Sequence, residues 1–416
     1  MNPPRDEVLV IGGGVIGLAT ALALIEAGRG VRVVDAGKPG SGASHGNCGT
    51  ITPSHAPPLA APGMVALGLR WMFTPDAPLY LKPRLDPGLW RWLAHFAARC
   101  NAADWRRSTQ SRSILLNDSR QRLADWVARF GLQCEFAEQG LDYVFRQQAN
   151  FDHYARQAGQ LREFGIGSEV LDGADYLRDE PALKPGVVGA VRFAGDARLR
   201  PDRYVAELAR VVRERGGVVE EGCRVDSLQE HGGGVEAATD RGPRHAREAV
   251  VALGAWTPGL ARGLGLRLPI QPGKGYSITY SRPSIVPSRP LVLKDRSVCV
   301  TVWDSGFRLG STMEFSGYDQ AMNATRLGAL ERAASEYLHE PFGAQVQERW
   351  HGWRPMTWDD LPVLGRSPRH RHVWLAAGHG MLGVSMSAAS GQLMADLMTG
   401  RSPALDPAPY RMERFA

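Results

Sequence analysis

The 416-residue sequence is poor in cysteine, has no block of basic residues and contains only one long apolar run. Its five cysteines, Cys48, Cys100, Cys134, Cys223 and Cys299, are odd in number and far apart, with no CxxC pair. That spacing argues against zinc, an iron–sulfur cluster or a dithiol couple, so no metal is expected and most of the thiols read as small buried hydrophobes. The net charge of +6 comes from arginines spread along the whole chain. With no run of five or six bases, nucleic-acid binding has no specific support. The opening Met-Asn-Pro-Pro-Arg-Asp-Glu does not resemble a secretory leader, which makes the cytoplasm the expected location. Internal repeats and low-complexity tracts are also lacking, and 44% hydrophobic content suffices for a large core in two domains.

The apolar run itself, Val8 to Gly28, is too interrupted by glycine to read as a membrane span. Val8 to Ile11 is a short β-former run, three glycines follow, Val15 to Ala27 is helical, Gly28 stops it, and Val31 to Val34 ends on Asp35. This is a βαβ unit opened by Gly12-x-Gly14-x-x-Gly17. Gly12 permits the tight turn, Gly14 removes a Cβ from the path of a pyrophosphate, and Gly17 lets helix and strand lie close. Val15 and Ile16 open the helix, whose positive end suits phosphate. Asp35 can accept both hydroxyls of an adenosine ribose and repels a 2′-phosphate, so the cofactor is FAD or NAD rather than NADP.

The Gly/Ser-rich loop 36–53 is long enough to imply a ligand, with Ser44, His45, Asn47, Cys48 and Gly49 as contacts. Residues 54–100 mix prolines with Trp71, Phe73, Tyr80, Trp90, Trp92 and Phe96. They read as an irregular core-filling segment, or alternatively as a basic amphipathic surface for a partner or membrane; the prolines favour the first. Helices are expected over 111–130, 151–164, 202–215 and 321–338, with antiparallel strands over 276–280, 298–302 and 307–310. Two later strands also run into glycine, at Val250-Val251-Ala252-Leu253-Gly254 and at Ala376-Ala377-Gly378-His379-Gly380. Each implies another close approach of backbone to the same ligand.

Six segments in order carry a resemblance over nearly the full length: GGGVIG, NCGTITPSHAPPLAAPG, VVALGAWT, GKGYSIT, WHGWRPMTWDDLPVLG and AAGHGMLGVSMSAASGQLMADLM. The chain resembles the D-amino-acid oxidase/glycine oxidase superfamily, and within it the D-amino-acid dehydrogenase small-subunit branch. The resemblance implies an α/β (α+β) architecture, a Rossmann-like FAD-binding domain (1–60, 190–262 and 346–416) interleaved with a mainly antiparallel substrate domain (61–189 and 263–345). FAD then adds Val225, Gly254, Trp256, Gly378, His379, Gly380, Leu382 and Gly383 to its expected contacts. Some relatives attach the flavin through a histidine in the first loop. The counterpart here is Gly46, with His45 displaced by one, so the FAD is expected to be non-covalent. Arg354 in the WRP motif matches the family's carboxylate-binding arginine, and a planar guanidinium suits that task.

Tyr276 either lines the substrate pocket or packs as β-core, and His55 either touches substrate or is structural. The implied reaction is oxidation of a D-amino or cyclic D-imino acid. The segment NCGTITPSHA points to cis-4-hydroxy-D-proline or D-proline. The alternatives are a broad D-amino-acid dehydrogenase, a glycine or sarcosine oxidase, and an FAD-binding subunit of a multi-subunit dehydrogenase. The electron acceptor (quinone, partner protein or oxygen) is not encoded in any motif, and peripheral association with the inner face of the cell membrane stays open.

Overall fold

The computed structural model describes residues 6–72 and 77–416, so Phe73 lies outside the described residues. Two large sheets and a set of packed helices make up the fold. Five strands of the first sheet run parallel, in the spatial order Val373–Ala377, Arg244–Val251, Asp6–Ile11, Val31–Val34 and Val218–Glu220. The β-branched residues Val8, Val10, Val31, Val33, Val250 and Val251 are buried on both faces, as a parallel sheet covered by helices requires. A hairpin, Val225–His231 and Gly234–Thr239, pairs with the first half of Arg244–Val251, and Val373–Ala377 takes its second half.

The glycines of the opening motif are spent on backbone proximity. A Cβ at Gly17 would lie 1.9 Å from the Gly12 carbonyl oxygen, and one at Gly12 would lie 2.5 Å from the Ala252 carbonyl oxygen. On the outer face, helix Val15–Glu26 packs against helix Gly383–Thr399, where Gly391 brings a backbone to 2.5 Å between its ideal Cβ and the Ala19 carbonyl oxygen.

The second sheet is mainly antiparallel, in the order Val346–Met356, Gln271–Tyr280, Gly306–Phe315, Val298–Trp303, Leu291–Leu293, Leu141–Phe145, Gly189–Phe193 and Glu169–Asp172. Strands Val346–Met356 and Gly189–Phe193, placed by chain order with the dinucleotide-binding part, hydrogen-bond into this sheet instead. Chain order follows the interleaving, whereas sheet membership is decided by pairing partners distant in sequence.

Helix boundaries follow the expected periodicity at their C-terminal ends more closely than at their starts. The helix expected from Ser111 begins at Ala102, where the Asn101 side chain accepts from the Asp104 backbone N–H. Segment 54–100 departs from the irregular expectation: it holds helices Met64–Trp71 and Pro87–Arg99, the latter capped by Asp86 with proline at its first position. Trp92 is buried as core, yet Met64–Trp71 buries none of its residues and Trp90 is 55% exposed.

Replacing Gly391 by alanine is expected to lower stability by about 1–3 kcal/mol, because the new methyl meets backbone rather than a movable side chain. Gly159, exposed in helix Gln148–Gln160 with nothing near its ideal Cβ, supplies the contrast. Its alanine variant should gain about 0.5–1 kcal/mol. Opposite shifts of the thermal midpoint for the two variants check the assignment, and equal shifts contradict it.

Candidate active site

The carboxyl ends of the parallel strands open onto a cavity of about 750 Å³ whose far wall is the second sheet. Ile11, Val34, Ala252 and Ala377, each at or just beyond a strand end, line it. This is where open α/β sheets bind ligands. Gly12, Gly14, Val15 and Ile16 form its floor, and the ideal Cβ of Gly14 meets only Ser44 Oγ at 3.6 Å. Ser44 Oγ accepts from the Val15 backbone N–H at 3.1 Å and so fixes the loop against the helix N-terminus. Asp35 faces the cavity with both oxygens held, one by the Gly13 N–H at 2.6 Å and one by the Gly37 N–H at 2.7 Å. Gly17 lies beneath, shaping the floor without lining it.

Both later strand-to-glycine junctions reach the same cavity. Gly254 and Trp256 line it from one, with Val225 beside them; His379, Gly380, Leu382 and Gly383 line it from the other. Gly378 stands behind, with φ +78° and its ideal Cβ 2.9 Å from Thr357 Cγ2. His379 is buried, bonds Ser390 Oγ at 3.0 Å, and is pushed down to about 3 by that burial, so its ring is neutral. The Gly380 N–H donates to the Pro355 carbonyl at 3.0 Å, tying this turn to the strand that carries Arg354.

In the first loop, Asn47 and Cys48 line the cavity. Gly49 does not; it holds φ +76° beside the Leu199 carbonyl and donates its N–H to Asn47 Oδ1 at 2.8 Å. His45 is likewise turned away from the cavity, with Nε2 2.8 Å from Glu348 Oε1. A carboxylate three hundred residues away in sequence is invisible to local inspection. Tyr276 also lies outside the cavity lining: it is buried in the sheet and donates to Glu314 Oε2 at 3.0 Å.

Arg354 lines the cavity from the second sheet. Its guanidinium passes over Gly275, whose ideal Cβ would sit 2.3 Å from Cζ, so glycine there makes room for it. Nη1 donates to the Thr312 carbonyl at 2.5 Å. That carbonyl is aimed by a register shift at which Ser311 and Thr312 take φ of +141° and +63°. Such backbone costs about 1–3 kcal/mol per residue and persists where surroundings enforce it. Among the described residues no carboxylate pairs with Arg354; burial pushes its pKa down, opposed by Cys48 and Cys299. A half-buried guanidinium with no carboxylate partner among the described residues is suited to a mobile anion.

His55 lines the cavity near these groups, and its Nδ1 lies 2.8 Å from the Tyr143 hydroxyl. Burial pushes its ring down to about 3, with Lys294 and Arg112 adding to the effect. Behind it, the Ser54 hydroxyl donates to Asp196 Oδ2 at 2.5 Å, and burial raises Asp196 to about 7.

Sequence reasoning missed Trp350 and Trp353, although both lie in the quoted segment around Arg354, and it missed Cys299 and Ser311 altogether. All five cysteines are free, and two of them meet in the cavity wall. Cys299 and Gly310 are cross-strand partners, and Cys48 Sγ fills the space above Gly310, so Cys48 and Cys299 interact side chain to side chain. Their 251-residue separation hides this.

The floor of glycines, the helix N-terminus and the Asp35 carboxylate fit the pyrophosphate and ribose of an adenine dinucleotide, and a cavity of this size, reaching from there to Arg354, has room for a flavin. Fold and site therefore define the class of FAD-dependent oxidoreductases. The family model described as "FAD dependent oxidoreductase" matches residues 7–397, and the chain belongs to that family. It is 34% identical over 417 residues to a D-amino acid dehydrogenase of Granulibacter bethesdensis, covering 99% of this chain and 100% of the relative. A D-amino acid dehydrogenase of Cereibacter sphaeroides is 35% identical, covering 99% and 95%. Among solved structures, glycine oxidase from Geobacillus kaustophilus superposes with a TM-score of 0.80 at 23% identity over 99% of both chains, a likeness of fold.

The His45–Glu348 pair gives the site a pH signature. Their mutual hydrogen bond is the main cause raising His45 above 6.5 and lowering Glu348 below 4.5. The His45 contribution is complete below its unfolded value and is lost as pH rises through the folded one; the Glu348 contribution is lost as pH falls through its lowered value. The stability difference between the native chain and Glu348→Gln should be greatest between pH 4.5 and 6.5 and shrink in mild alkali. Both side chains are part-exposed, so the difference should not exceed about 1 kcal/mol. Denaturant unfolding across pH measures it, and a difference that grows in alkali contradicts the pairing.

Proposed function

We propose that this protein is a D-amino-acid dehydrogenase of broad substrate range, oxidising the Cα–N bond of its substrate to the imine. The single observation that carries the reading is Arg354, a cavity-lining guanidinium with no protein carboxylate among the described residues. The full-length relatives named D-amino acid dehydrogenase support it.

FAD, when bound, would supply the acceptor for the hydride that leaves the substrate Cα. The residues proposed to hold it are the glycine floor, Asp35, Ser44 and Asn47 of the first strand and loop, and the two later junctions. The His45 side chain points to Glu348, and the ideal Cβ of Gly46 would meet the Trp350 ring at 2.0 Å. That arrangement supports non-covalent FAD, which acid precipitation should release into the supernatant. Arg354 binds the substrate carboxylate in a bidentate manner and orients Cα. Neutral His55, with both ring nitrogens within hydrogen-bond distance of the Tyr143 hydroxyl, shapes the cavity wall and acts as no base, so the substrate amine must arrive in its neutral form. Tyr276 acts at a distance, by holding the strand next to Arg354 through Glu314.

Cyclic D-imino acids are the second reading, favoured by the segment NCGTITPSHA, whose Cys48, Thr50, Thr52 and His55 all line the cavity. Anaerobic mixing of the holoenzyme with D-alanine, D-proline, cis-4-hydroxy-D-proline and their L forms separates the readings. Bleaching of the oxidised flavin by D-alanine as well as D-proline is expected. Bleaching by the cyclic compounds alone transfers the assignment to the second reading, and bleaching by none rejects both.

Arg354→Ala should raise the substrate concentration for half-maximal bleaching by at least about 30-fold, from loss of a buried charge-assisted pair, with flavin still bound. Unchanged saturation removes Arg354 from the site.

Helices Met64–Trp71 and Pro87–Arg99 are each proposed to turn exposed residues toward a lipid surface. Val65 and Leu69 are exposed on the first, Met72 just beyond it, and Trp90 and Arg91 on the second. Exposed apolar and basic residues together favour an anionic bilayer interface. Co-sedimentation with phosphatidylglycerol vesicles is expected, weakened in Leu69→Ser/Trp90→Ser; equal sedimentation of both proteins contradicts it. No helix among the described residues is long and apolar enough to cross a membrane.

A further inference from the structure

Cys48 comes from the first loop, immediately before the short strand Thr50–Ile51, and Cys299 from strand Val298–Trp303 in the middle of the second sheet. Both line the cavity and both are half-buried. Their meeting depends on a missing side chain. Cys299 is the cross-strand partner of Gly310, so the two residues present the same sheet face. An ideal Cβ on Gly310 would lie 2.6 Å from Cys48 Sγ, a separation no real contact tolerates. Glycine at 310 therefore creates the recess in which the Cys48 sulfur rests beside Cys299.

Electrostatics distinguish the two thiols. The contact with Cys299 holds Cys48 below its ordinary value, helped by the Arg354 and Arg308 guanidinium groups. Cys299 is driven the other way, first by Cys48 and then by burial. A thiol held below its ordinary value beside one held above it, with cations near the first, is the arrangement of an attacking and a resolving cysteine. The remaining thiols differ: Cys134 is buried and pushed up to about 12, Cys100 is raised by burial and donates to the Phe96 carbonyl, and Cys223 is buried. Among the described residues no three His, Cys, Asp or Glu side chains gather as metal ligands, so the pair has no third ligand for a cation.

We propose that Cys48 and Cys299 form a dithiol oxidation site in the cavity wall, closed to a disulfide by hydrogen peroxide. The Cys48 sulfur attacks one peroxide oxygen; the O–O bond breaks, an S–O bond forms, and the second oxygen leaves as water, with Cys48 as its sulfenic acid. The Cys299 sulfur then attacks the Cys48 sulfur, forming the S–S bond and releasing the sulfenic oxygen as a second water. Two thiols and one peroxide become one disulfide and two waters, and the sulfurs together lose two electrons. The bridge ties the first loop to the second sheet at the cavity wall and removes the Cys48 thiol that the Arg354 guanidinium helps to acidify. It does not depend on the identity of the substrate.

The test uses the purified holoenzyme, exposed to hydrogen peroxide, quenched with iodoacetamide, unfolded without reductant and mapped by mass spectrometry. Most of the protein should yield a Cys48–Cys299 linked peptide that dithiothreitol separates, with Cys134 and Cys223 recovered as alkylated thiols. In Cys299→Ala, Cys48 should be trapped by dimedone as the sulfenic acid, while in Cys48→Ala the thiol of Cys299 should survive the same treatment. The proposal is overturned if Cys48 and Cys299 are both recovered as thiols. It is equally overturned by a link through Cys100 or Cys223, or by conversion of Cys48 to sulfinic acid with Cys299 left free.

Discussion

A guanidinium placed in the wall of a cavity without a protein counter-ion carries a desolvation cost of several kcal/mol, and much of the second sheet is arranged around meeting it. Arg354 has a single backbone carbonyl, that of Thr312, as its oxygen partner among the described residues. To present that carbonyl the strand adopts left-handed backbone at Ser311 and Thr312, and to let the side chain pass the neighbouring strand carries glycine at 275. Both features cost stability locally. They are repaid by the well-ordered sheet around them, where Leu309, Ile278 and Val300 are fully buried.

The opposite wall follows a different logic. There the demand is for backbone to come close, and three separate strand ends answer it with glycine: Gly12 and Gly14, Gly254, and Gly380. Because the parallel strands all point the same way, their carboxyl ends deliver these turns to one place without long loops. Asp35 enters the cavity from the first sheet and Arg354 from the second.

This division explains what was legible beforehand. Each piece of the glycine wall is a strand and the turn that directly follows it in sequence, so the motif at Gly12, the acid at Asp35 and the later junctions could be read directly, and the architecture followed. The arginine wall is built from pairings between strands, so Arg354 was found only through its motif. Gly275, Gly310 and Cys299 carried no local sign of what they face. His45 was placed toward the ligand as a polar member of the loop, and Tyr276 was left open between pocket and β-core; in the fold Glu348 and Glu314 claim them. The helix Met64–Trp71 was hidden for another reason, since prolines on either side suggested irregular chain and its residues pack against little.

Among the hydrogen bonds that join the two walls is that from the Gly380 N–H to the carbonyl of Pro355, the residue after Arg354. The backbone that carries Arg354 is thus only a peptide unit removed from the turn that opens the C-terminal helix. Any shift of one sheet against the other has to break this bond before that strand can part from the turn. In mechanical terms the protein carries its own gauge block, fixing the Arg354 strand against the glycine turn independently of the clearance around them.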